Sequence, residues 1–228
     1  MNYKIAIDGP SGTGKSTIAK LLAKKLSFVY IDTGAMYRAV GLYCYRNGID
    51  IDDEESVVNS LDNIDINMFY KDGVQEIELN GEIVSDAIRE NHISKCASVV
   101  SAYQPVRDRL VTMQRALAEK NSVIMDGRDI GTVVLPDANL KVYMTVEDEV
   151  RAQRRYKELI EKGQDVTYEK VLEELKERDY RDMNRENSPL KKADDAIIVD
   201  NTNTTIDEVV DKVYDLFKEK VGNIEWDI

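Results

Sequence analysis

Histidine, cysteine and tryptophan are nearly missing from this chain of 228 residues, which has one His, two Cys and one Trp. So few imidazoles and thiols exclude a zinc cluster, and His92, without partner ligands, is expected to face solvent on a helix. Cys44 and Cys96 stand far apart with no C-x-x-C spacing, which argues against a disulfide framework and predicts reduced, partly buried thiols. No apolar run approaches the ~20 residues needed to cross a bilayer. Met1-Asn2-Tyr3-Lys4 leads straight into an apolar stretch, so no signal or transit segment is expected, and the chain reads as cytoplasmic. Positive charge is also scarce: 31 Lys and Arg stand against 43 Asp and Glu, a net charge of −12. That sign opposes sequence-independent binding of nucleic acid and docking on an anionic membrane. Any basic cluster kept by so acidic a chain therefore needs a reason.

What is present begins with Gly9-Pro10-Ser11-Gly12-Thr13-Gly14-Lys15-Ser16, which fits G-x-x-x-x-G-K-[ST]. The apolar run Tyr3 to Ile7 precedes it, and Ile18, Leu21, Leu22 and Leu26 follow on one helical face. Strand, glycine loop and helix are the context a P-loop requires. Its amides and helix N-terminus would cradle the phosphates of a nucleoside triphosphate, with Lys15 on the β- and γ-phosphates and the Ser16 hydroxyl on Mg²⁺. Further apolar runs occur at Phe28 to Ile31, Ser122 to Met125, Leu140 to Val146 and Ala196 to Val199. Together they predict an α/β fold of the P-loop NTPase type, a five-stranded parallel sheet with helices on both faces. Ligands of such sheets bind beyond the carboxyl ends of the strands, where Asp8, Asp32 and Asp126 fall. Asp126 suits a metal-holding acid acting through water.

Residues 62–86 break the rhythm. Ile64, Ile66 and Met68 alternate, Lys71-Asp72-Gly73 makes a turn, and residues 75–79 alternate again before Asn80-Gly81, which predicts a small antiparallel insertion. Helices are expected near 34–46 and 90–119, a charged helix over 147–162 stopped by Gly163, and another from Thr167 to about Asn184. On that last helix the apolar stripe Val171, Leu175 continues as Arg178, Asp182 and Arg185, aiming charge inward. Arg38 and Arg128 follow strands, and Arg151, Arg154 and Arg155 crowd the charged helix. One triphosphate does not need so many cations. Two phosphate groups brought together do, because their repulsion must be offset in a nearly dry site. The expected reaction is phosphoryl transfer to a second phosphate, which is largely ionised at neutral pH and requires no general base. A GTP-dependent switch would carry an Asn-Lys-x-Asp segment, and the sequence has none.

Residues 7–17, Asp32 to Arg38, Asp126 to Val134 and Glu177 to Arg185 together resemble the bacterial-type cytidylate kinases, and the likeness runs from the P-loop to about residue 218. It implies transfer of the ATP γ-phosphate to CMP or dCMP, with a different acceptor such as UMP or AMP as the alternative. It also implies an ATP site at Gly9 to Thr17. On the acceptor side it places Ser98, Arg107 and Asp129 on cytosine, Arg178 and Asp182 on the sugar, and Arg38, Arg128 and Arg185 on the phosphate, with Thr33 and Tyr37 in the same site. Lys15, Arg128, Arg154, Arg155 and Arg185 become the catalytic cations. Residues 200–204 match a loop packing near adenine. Whether Ser16 or Thr17 approaches Mg²⁺ stays open, because related kinases often have Gly at the position of Ser16. The resemblance further implies one monomeric kinase unit: a core of residues 1–61, 97–146 and 186–220, a CMP-binding insertion at about 62–96, an arginine lid at about 147–185 and a tail at 221–228.

Overall fold

Short β-branched runs alternate with helical periodicity along the chain, and the computed structural model, which describes residues 2–71 and 74–222, has that alternation. The elements are β1 (Lys4–Asp8), α1 (Lys15–Leu26), β2 (Val29–Asp32), α2 (Thr33–Arg46), α3 (Glu54–Ser60), β3 (Ile66–Lys71), β4 (Val74–Leu79), β5 (Glu82–Ile83), α4 (Asn91–Val100), α5 (Gln104–Lys120), β6 (Val123–Gly127), β7 (Leu140–Thr145), α6 (Asp148–Glu161), α7 (Tyr168–Asn184), β8 (Ile197–Asp200) and α8 (Ile206–Val221). A π-helical turn, Ile130–Val134, follows β6. The chain forms two compact units, residues 1–31 with 118–228 and residues 32–117.

The first unit is built on a five-stranded sheet of order β2-β6-β1-β7-β8, with parallel pairing of β1 to β6, β1 to β7 and β7 to β8. Because side chains alternate across a strand, Ile5 and Ile7 join a core with α1 and α8, through Ile18, Leu22, Val213 and Phe217. Ala6 and Met125, on the opposite face, are equally buried. Such two-sided burial explains why these strands read as continuous apolar runs. Helix α8 starts on a capping box, Thr205 with Glu208, which satisfies two of its otherwise orphaned amides.

The second unit packs α2 against α4 and carries the antiparallel sheet β3-β4-β5. Its core joins Met36, Val40, Ile93, Val100 and Leu110 to the sheet residues Ile66, Ile77 and Leu79. The single helix expected over 90–119 is two, α4 and α5, because Pro105 lacks an amide hydrogen and is at home only in the first turn of a new helix. His92 is exposed, 3.5 Å from Glu90, with its ring 4.4 Å from that of Tyr45 and tilted by 50° to it. Cys44 and Cys96 are both buried, and burial pushes both thiols up. Asp72 and Gly73 of the expected turn, and residues 223–228 with Trp226, lie outside the described residues.

Candidate active site

The loop between β1 and α1 has the geometry its glycines suggest. Gly9 sits at φ 149°, and a Cβ there would lie 2.3 Å from the Met144 carbonyl oxygen, so no other residue fits without moving β7. Gly14, at φ 86°, opens α1, and no side chain caps the helix. Its first amides thus point out of the helix end with the positive pole of the dipole behind them. The Lys15 ammonium folds back onto the loop, donating to the Pro10 carbonyl at 2.5 Å and to Thr13 Oγ1 at 3.3 Å. Burial, followed by the neighbouring Arg128 charge, holds the Lys15 pKa well below its ordinary value, against the pull of Asp126, Asp8 and Asp179. An added anion would favour the charged ammonium.

Asp126, at the carboxyl end of β6, accepts from Ser16 Oγ at 2.7 Å and from the Tyr30 hydroxyl at 2.8 Å. Thr17 is exposed, so Ser16 supplies the hydroxyl that meets the acid. A carboxylate and a hydroxyl side by side form an all-oxygen donor pair of the kind a hard cation such as Mg²⁺ takes, directly or through water.

Four arginines of the first unit, Arg128, Arg151, Arg155 and Arg185, lie against carboxylates. Arg128 Nε donates to Asp182 Oδ2 at 2.9 Å. Burial opposes both charges, but the ion pair prevails: the Arg128 pKa is raised, and Arg128 with Arg178 lowers that of Asp182. Arg185 lies 3.7 Å from the buried Asp129 and donates to the Ser188 carbonyl at 2.7 Å. The stripe on α7 therefore faces inward as its spacing predicts: Val171, Leu175 and Asp182 are buried, and Arg178 is half-buried. Asp182 pairs with Arg128, from the loop after β6, across to α7.

Sequence reasoning missed Asp179, which sits four residues after Leu175 on the same stripe. It accepts from the Ser11 amide at 3.2 Å and from Arg151 at 2.5 Å, and Arg151 also donates to the Ser11 carbonyl at 2.8 Å and pairs with Asp148. Arg151 is thus a buried tether joining α6 and α7 to the P-loop. Arg154 donates to the Asn201 carbonyl at 3.0 Å, and the Asn201 amide donates to the Thr13 carbonyl at 3.0 Å, joining the loop after β8 to the P-loop. Arg155 pairs with Glu158 on its own helix at 2.8 Å.

In the second unit, Asp32 caps α2 by accepting from the Ala35 amide at 2.9 Å and lies 3.8 Å from Arg38. Thr33 and Tyr37, in the first turns of α2, are buried. Arg107 is buried as well, 5.5 Å from the centre of the Tyr37 ring, and it donates to the Ser101 carbonyl at 3.1 Å. Arg107 is therefore an interior cation, 2% exposed. Ser98 is half-buried on α4.

Among solved structures, a gluconokinase from Sinorhizobium meliloti shares the fold at a TM-score of 0.50 and 12% identity, covering 95% of this chain and 92% of its own. Among curated proteins, the cytidylate kinase of Caldicellulosiruptor saccharolyticus is 52% identical over 219 residues, covering 96% of this chain and 97% of its own length. That of Bacillus subtilis is 45% identical over 216 residues, covering 95% and 96%. No helix among the described residues is long and apolar enough to cross a membrane. The family pattern of cytidylate kinases matches residues 5–219, and with a P-loop at the carboxyl end of the central strand β1 and arginine–aspartate pairs in the same unit, the chain belongs to the cytidylate kinase family.

Proposed function

We infer that the chain transfers the γ-phosphate of ATP to CMP or dCMP, giving ADP and CDP or dCDP. The observation that carries this reading is the concentration of charge in the first unit. A P-loop with a buried Lys15 shares that unit with the pairs Arg128–Asp182 and Arg185–Asp129, in which both carboxylates are buried and both arginines half-buried. Gly9 to Ser16 hold the ATP phosphates through loop amides and the α1 N-terminus, and Lys15 bridges the β- and γ-phosphates. Asn201, bonded to Thr13, and the loop of residues 200–204 flank the adenine.

An oxygen of the acceptor phosphate attacks the γ-phosphorus in line, and the bond to the β–γ bridging oxygen breaks to release ADP. The acceptor oxygen is already ionised, so the protein's work is positioning and charge compensation. Lys15, Arg128, Arg154, Arg155 and Arg185 offset the charge of the transferring group, and Arg38 joins Arg128 and Arg185 on the acceptor phosphate. Mg²⁺, held by Ser16 and through water by Asp126, would supply charge neutralisation on the β- and γ-phosphates. Residues 147–185 act as a lid that excludes water, the competing acceptor. Arg178 and Asp182 take the sugar.

Asp129 and Ser98 accept from the exocyclic amine of cytosine, and Arg107 donates to its ring acceptors, with Thr33 and Tyr37 packing in the same site. Uracil would set a carbonyl against the Asp129 carboxylate and be disfavoured. The hairpin at about 62–96 belongs to this acceptor-binding part. With nucleotides as both substrates, a cytoplasmic, monomeric enzyme is the consistent reading. A coupled ADP-release assay with ATP against a panel of monophosphates tests it. CMP and dCMP should give the highest kcat/KM, and Asp129→Ala should cut kcat/KM for CMP at least tenfold more than for UMP. A preference for AMP or UMP would overturn the assignment.

A further inference from the structure

Asp8 is the last residue of β1 and the covalent neighbour of Gly9, yet it does not turn toward the P-loop. Its carboxylate reaches across to the loop after β6, where Oδ1 accepts from the Ile130 amide at 2.8 Å and Oδ2 from the Gly131 amide at 2.7 Å. Those amides open the π-helical turn Ile130–Val134, whose preceding residue, Asp129, caps it with no side-chain hydrogen bond. The cap comes instead from a strand more than a hundred residues earlier in the chain. The approach is close. A Cβ on Gly131 would stand 3.3 Å from Asp8 Oδ2 and 3.1 Å from Lys141 Cδ, so glycine is what lets the carboxylate seat.

A carboxyl group is a costly choice here. Asp8 is 4% exposed, and burial raises its pKa to about 7 against the two amide bonds and Lys15, which lower it. Packing alone would be served better by an apolar side chain, as at Ile5 and Ile7 on the same strand. What the carboxylate adds is a fixed path for residues 129–131, with the Asp129 side chain set 3.7 Å from Arg185.

We propose that Asp8 is a positioning residue for acceptor selection: by clamping the Ile130 and Gly131 amides to the first strand, it holds Asp129 where it reads the base. The proposal rests on the role given to Asp129 above. It also joins the start of the donor loop and the acceptor-reading loop through one side chain.

Steady-state kinetics of three variants test this. Asp8→Asn keeps the shape but turns one acceptor into an amide donor facing an N–H. It should raise KM for CMP about tenfold and shrink the CMP to UMP ratio of kcat/KM by a similar factor, leaving KM for ATP within twofold. Gly131→Ala leaves Asp8 intact but pushes the loop from it, and should give the same split to a lesser degree. If Asp8→Asn does not fold, Gly131→Ala decides alone. Equal changes in both KM values, or a fall in kcat with an unchanged CMP to UMP ratio, would overturn the positioning role. Asp129→Ala separates the two claims. If it leaves base selection unchanged, the reading of Asp129 fails and takes this proposal with it; if it abolishes selection while the other two variants do not touch it, only the role of Asp8 fails.

Discussion

In the first unit the interior contains Asp8, Lys15, Asp126, Asp129, Asp179 and Asp182, each 5% exposed or less, whereas the second unit buries mainly Met, Val, Ile and Leu around Arg107 and Gln114. The contrast separates two kinds of demand. Buried ion pairs add little net stability compared with apolar side chains of the same volume, because desolvation offsets most of the attraction. A unit that keeps so many is shaped by its reaction. The second unit follows the ordinary rule, with α2, α4 and β4 closing an apolar core around side chains of fixed shape. Arg107, the one fully buried cation among the described residues of this unit, stands out against that background as the acidic chain's arginines do in the sequence.

The contrast breaks most visibly at Lys15. Replacing it with Ala should lower kcat/KM by about 10³-fold, on the order of 4 kcal/mol of transition-state stabilisation, with the far-UV circular dichroism of the fold kept. A loss below tenfold would mean the buried charge of the first unit is not catalytic.

Next comes Asp8, whose carboxyl rises from 3.8 to about 7 in the folded protein. Such a group holds its proton more tightly when folded. Its contribution to stability is full below pH 3.8 and is lost as pH rises through 7. Asn at this position does not titrate. In urea unfolding, the wild-type stability minus that of Asp8→Asn should fall by about 4 kcal/mol between pH 4 and pH 7.5. A flat difference would show that burial does not perturb Asp8, and would weaken the contrast between the units.

The smallest effect belongs to the second unit. Ile93, with no exposed surface on α4, should cost about 1 kcal/mol when shortened to Val, read as a lower urea midpoint. Its kcat and both KM values should stay within twofold. A kinetic change would show that apolar packing in this unit is coupled to the chemistry.

Much of this was legible along the chain, and for definite reasons. The P-loop is a local motif, the strands read as apolar runs because the sheet is buried on both faces, and the α7 stripe follows from helical spacing. Those features need only near neighbours in sequence. Pro105 is equally visible as a helix start, yet the helix expected over 90–119 runs through the break at Ser101 to Tyr103.

Composition and motif determined by themselves that this is a triphosphate-binding α/β protein with more inward arginines than one nucleotide requires. Tertiary structure decided which partner each charge takes. Ser16 rather than Thr17 meets Asp126, 110 residues away. Arg151 ties α6 and α7 to Ser11, Asp182 goes to Arg128, and Asp8 clamps Ile130 and Gly131. A charged side chain is satisfied by whatever the fold brings within about 3 Å of it, and no local periodicity encodes that distance.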